Sequence, residues 1–62
     1  MARSRKQVLA LIERHKSAYY DHIEKARTYQ LEQDQEYARK TAERIRETIE
    51  KLAASIGERI EL

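Results

Sequence analysis

The chain has 62 residues with no cysteine, no proline and one glycine, and a formal net charge of +2, which restricts it to one domain below the roughly 100–200 residues usual for a domain. Leu, Ile, Val and Phe supply only 12 of the 62 residues. A core this thin does not offset the ordering of the chain, at about 1.5 kcal/mol per residue, and without disulfides the remaining supports are a metal, a partner or self-association. No apolar run approaches the roughly 18 residues of a membrane-spanning helix. Met1-Ala2-Arg3-Ser4-Arg5-Lys6 leads into an interrupted apolar stretch without a cleavage signal, so the expectation is a soluble, cytoplasmic protein that does not engage membrane.

Competent helix formers occupy almost every position, and period-two alternation is missing, which predicts an all-α chain. Ser4-Arg5-Lys6-Gln7 has the spacing of a capping box, with the Ser4 hydroxyl on the Gln7 amide and the Gln7 side chain on the Ser4 amide, and so opens a first helix over about 4–31. At 100° per residue Val8, Leu11, Ile12, His15, Ala18, Tyr19, His22, Ile23, Ala26 and Tyr29 fall within an arc of about 140°, which is a core face.

The second half alternates spacings of four and three in Ala38, Ala42, Ile45, Ile49, Leu52 and Ile56, the seam of a bundle or coiled coil. On one straight helix the two apolar arcs would diverge by about 130°, so the chain is expected to turn near 31–36. Asp34 is the expected N-cap, and with Glu36 it places negative charge at the positive end of the second helix dipole. That helix spans about 35–56, or runs to 61. Gly57 is either a left-handed cap or a tolerated helical glycine. One continuous helix with a stagger in its seam is the competing architecture, since neither glycine nor proline forces the turn. The preferred reading is a single hairpin of two long antiparallel helices that assembles as a homodimeric four-helix bundle. Its interface is expected at Ile12, Tyr19, Ile23, Ala38, Ala42, Ile45, Ile49, Leu52 and Ile56. Ala38 and Ala42 would allow close helix approach near the turn.

Opposite charges at i,i+4 (Asp21 with Lys25, Glu36 with Lys40, Glu47 with Lys51 and, reversed, Arg39 with Glu43 and Arg46 with Glu50) mark solvated faces, each pair contributing a few tenths of a kcal/mol. The charge is divided unevenly, with +4 in residues 1–30 and −2 in residues 31–62. Arg5, Lys16 and Arg27 share a flank of the first helix with Leu9 and Tyr20. Cations spaced along a flank can track phosphates while an aromatic stacks on a base, so these residues, assisted by Arg3 and Lys6, form a candidate nucleic-acid surface. Solvated lysine and arginine heads over buried stems give the plainer account of the same flank.

His15 and His22 are candidates for a pH-sensitive core, because imidazole changes charge near neutrality. Their plainer role is that of neutral rings hydrogen-bonded to Tyr19, Tyr29 or a second copy. Tyr20 and Tyr37 lie outside both arcs and read as contact residues. Neither the His-Glu-x-x-His zinc pattern nor the Glu-x-x-His di-metal pattern occurs, and no nucleophile, glycine loop or enclosed triad is available, so no metal, cofactor, small-molecule substrate or catalysis is expected. The function expected is that of a small homo-oligomeric adaptor or regulator binding another, unidentified macromolecule through its helical surfaces. A nucleic-acid-binding module is the alternative.

Overall fold

A computed structural model describes residues 3–62 and folds them into two helices, α1 (Arg5–Thr28) and α2 (Glu32–Ser55). α1 begins at the expected capping box. The Ser4 side chain accepts from the Gln7 amide at 3.2 Å, and the Ser4 amide donates to Gln7 Oε1 at 3.0 Å, so two of the unpaired groups at the helix start are satisfied within four residues. No strand or continuous helix competes among the described residues: the chain breaks and reverses, which brings the two apolar arcs together.

The break comes earlier than the sequence predicts, at residues 29–31. Tyr29 (φ −65°, ψ 137°) and Leu31 (φ −86°, ψ 131°) are extended, which reverses the chain without a glycine. The Tyr29 amide donates to the Lys25 carbonyl at 2.9 Å. From α2, Gln35 Nε2 donates back to the Tyr29 carbonyl at 2.6 Å, so one helix caps the end of the other. Asp34 is not the N-cap. Leu31 is, without a side-chain hydrogen bond, and Asp34 sits inside the first turn with Glu32, where both carboxylates face the positive end of the dipole. Beginning α2 at Glu32 adds a turn of backbone hydrogen bonds that a cap at Asp34 would forfeit. Tyr29, placed by its spacing in the core arc, lies past the end of α1 and is exposed.

At the other end Gly57 takes φ 69°, the left-handed conformation that costs an L side chain about 1–2 kcal/mol, and the Glu58 amide donates to the Ala53 carbonyl at 2.9 Å. The helix therefore stops, and residues 58–62 turn back over the hairpin. Burial alternates along this tail, with Glu58 and Ile60 half-buried and Arg59 and Glu61 exposed. Ile60 packs on the core. The tail is tied to the start of α1 by Arg5, whose Nη1 donates to the Ile56 carbonyl at 3.0 Å and whose guanidinium pairs with the Glu58 carboxylate.

The helices pack over a core of Val8, Ile12, Ala38, Ala42, Ile49 and Ala53. Among the described residues only Ile12 and Ile49 are both large and fully buried, and the three alanines of α2 let the backbones approach closely on either side of them. The result is one layer of helices: the extents are 42 × 21 × 14 Å and the radius of gyration is 13.3 Å, against about 10.6 Å for a compact chain of this length. The accessible surface is 5216 Å², about 1,000 Å² above that of a compact protein of this mass. Among the described residues no helix is long and apolar enough to cross a membrane.

Two stability outcomes follow from this arrangement. Ile49→Ala leaves a cavity at the point of deepest burial and should destabilise the hairpin by about 2–5 kcal/mol, read as a lower midpoint of urea unfolding followed by circular dichroism. Leu31→Ser places a capping hydroxyl at an exposed, uncapped N-terminus with suitable backbone angles and should raise stability by about 1 kcal/mol in the same titration.

Candidate interaction surfaces

Helical geometry gives each side of a one-layer hairpin its own chemistry. A depression of about 220 Å³ is lined by Ile23, Ala26 and Arg27 of α1 and by Gln35 and Arg39 of α2, which identifies the flanks that adjoin on one side. The remaining flanks must adjoin on the other. There α1 presents Leu11, His15, Ala18 and His22, and α2 presents Thr41, Ile45 and Leu52, all half-buried. No charged residue lies within this group, in a chain of which 39% of residues are charged. Tyr37 (73% exposed) and the exposed Thr48 stand at its rim.

Both histidines belong to this uncharged flank. His15 Nδ1 lies 2.7 Å from the Leu11 carbonyl and His22 Nδ1 lies 2.8 Å from the Ala18 carbonyl. A carbonyl only accepts, so each neutral ring carries its proton on Nδ1 and keeps Nε2 as an acceptor. The sequence pointed to Tyr19, Tyr29 or a second copy as the partners. The backbone one turn back takes that place because a helical His side chain lies over the preceding turn, whereas Tyr29 lies outside the helix.

The opposite side carries a groove. Its largest part, of about 590 Å³, is lined by Tyr19, Tyr20, Ile23, Glu24, Arg27, Thr28 and Leu62. It shares Ile23 and Arg27 with the 220 Å³ depression and shares Tyr19 and Leu62 with a smaller one of about 160 Å³ beside Arg46 and Ile60. Tyr20, 51% exposed, leans on Tyr19 with ring centroids 5.5 Å apart and planes at 59°.

The six basic and aromatic residues of the candidate nucleic-acid surface are therefore not equivalent. Tyr20 and Arg27 come together in the groove. Arg5 is engaged by Ile56 and Glu58, and Lys16, half-buried, pairs with Glu13 at 3.7 Å. Arg3 borders a different depression, beside Leu11 and Arg14, and Lys6 is exposed. Arg39 was not singled out from the sequence for this side. Its signal was a place on α2 one flank away from the seam, which becomes a position opposite Arg27 only when the hairpin closes.

The residues expected at a dimer interface divide as well. Ile12, Ala38, Ala42 and Ile49 are buried within the single hairpin. Tyr19, Ile23, Ile45, Leu52 and Ile56 are half-buried, with Tyr19, Ile45, Leu52 and Ile56 packed against the core. Of the expected ion pairs, Asp21 with Lys25, Glu36 with Lys40 and Arg46 with Glu50 form, each at 3.2 Å. Glu47 with Lys51 and Arg39 with Glu43 do not close among the described residues, in keeping with the small gain that such exposed pairs offer against side-chain entropy. Among the described residues no three His, Cys, Asp or Glu side chains converge. No family model, curated protein or solved structure matches the chain at a significant level.

Proposed function

We propose that the protein is a non-enzymatic homodimeric adaptor or regulator, in which two hairpins pair through the uncharged flank and leave the grooved flank to bind another macromolecule. The observation that carries this reading is the uncharged flank itself. Leu11, His15, Ala18, His22, Ile45 and Leu52 form a contiguous strip half-open to solvent on a layer only 14 Å deep. A helix layer is stable when its apolar face is covered by a second layer, and a second copy supplies one with a matching surface by two-fold symmetry. The area agrees, because the excess exposure of about 1,000 Å² is close to the roughly 800 Å² per partner of a stable interface.

A protein partner is favoured over nucleic acid on the grooved side. Phosphate tracking needs cations at successive positions, but Arg5 and Lys16 are already paired. Tyr20 and Arg27 alone make a contact point rather than a track.

Charge placed on the uncharged flank should separate the copies without unfolding either. Leu11→Glu combined with Ala18→Glu, at half-buried positions that do not pack against the core cluster, is expected to halve the mass measured by light scattering while helical circular dichroism persists, whereas a wild-type chain that is monomeric at high micromolar concentration would sink the dimer.

A further inference from the structure

We propose that the groove running from Leu62 to Arg39 docks a short segment of a partner protein that carries acidic and aliphatic side chains together. This rests on the adaptor reading above, and it names the chemistry of the partner. Glu24 lines the wider part of the groove beside Tyr20 but not the 220 Å³ depression, where Ile23 and Ala26 supply apolar surface and two guanidinium groups from different helices, Arg27 and Arg39, border the same space. Neither arginine has an ion-pair partner among the described residues. Arginine meets a carboxylate with two parallel hydrogen bonds, so an acidic side chain entering between them would neutralise both while its aliphatic neighbours cover Ile23 and Ala26.

The chain's own tail shows the same chemistry at the near end of the groove. In Glu58-Arg59-Ile60-Glu61-Leu62 the Glu58 carboxylate pairs with Arg5, Ile60 packs on the core and Leu62 enters the groove. An acidic residue followed by aliphatic residues at alternate positions is thus seated by one cation and the hairpin's apolar surface. Leu62 lines the wider part of the groove with Ile23 and Arg27, and beyond it the 220 Å³ depression offers that pair of features again, with apolar Ile23 and Ala26 and cationic Arg27 and Arg39 and no tail residue in its lining. From Tyr20 to Arg27 the distance along α1 is about 10 Å, room for three or four extended residues or two turns of helix.

The test uses short random peptides displayed on phage, selected against the full-length chain and counter-selected on Arg27→Glu with Arg39→Glu. Both side chains are exposed, so the double variant keeps its fold, checked by circular dichroism. The expected result is enrichment of sequences that combine Asp or Glu with Leu, Ile or Val. The best of them, synthesised and followed by fluorescence anisotropy, should bind the double variant at least about tenfold more weakly, the loss of one charge-assisted contact. Selection that yields no binders, binders without acidic residues, or binders indifferent to the double variant would overturn the proposal. So would a single-stranded RNA oligonucleotide that binds through Arg27 and Arg39 where the selected peptides do not. Light scattering on the same samples reads the dimer separately: a monomer that binds acidic peptide refutes the pairing and keeps the groove, and a dimer that binds none does the reverse.

Discussion

The burial of Ile12 and Ile49 in one core cluster is the point on which the hairpin depends. Among the described residues these are the only large side chains that are fully buried, and the buried alanines at 38, 42 and 53 let the helices lie close together. Small residues on α2 bring the backbones together but contribute little apolar area, so closeness is gained at the expense of burial. A hairpin of this length can then form one layer and no more. Its exposed area follows from that choice, because a layer 14 Å deep has two broad sides and only its seam is sealed.

The two sides resolve the excess in opposite ways. One groups the uncharged side chains of Leu11, His15, Ala18, His22, Thr41, Ile45 and Leu52, with Arg14 beside Leu11 at its edge, a composition that a second layer would cover in the proposed dimer. The other is closed in part by the chain itself. Gly57 turns the backbone, Arg5 anchors Glu58 and the Ile56 carbonyl, and Ile60 reaches the core. The tail thus uses the first cation of the basic flank and ends beside Tyr20 and Arg27, the only members of that flank that come together in the groove. A charge asymmetry that reads as an electrostatic footprint along the sequence is, in three dimensions, partly an internal fastening.

How much of this was legible in the sequence depends on the range of the interaction. The capping box at Ser4 and Gln7 and the four-three seam of α2 are local, and both stand where their spacing put them. Gly57 could be narrowed to two roles, and its positive φ selects the left-handed cap. The turn was misplaced because its stabilising contact, Gln35 to the Tyr29 carbonyl, joins different helices, while its N-cap, Leu31, carries no capping side chain and so leaves no local mark. Arg5 with Glu58 and Arg27 beside Arg39 are pairings between distant parts of the chain, invisible until the helices close. The histidines stand on the expected arc, and within the hairpin their Nδ1 atoms meet the backbone carbonyl one turn back rather than a phenol of the arc, a partner common to every helix and so without a mark of its own in the sequence.

The seam also separates two energies that the sequence alone had merged. A four-three repeat is equally the mark of packing within a chain and between chains, and Ile12, Ala38, Ala42 and Ile49 are fully engaged within one chain. In the proposed dimer, assembly would draw on residues one step off the seam, where Leu11, Ala18, Ile45 and Leu52 are half-covered. Ile45 and Leu52 also pack against the core of the single hairpin, so substitutions there would act on fold and pairing together, whereas Leu11 and Ala18 lie outside that packing and would report on pairing alone.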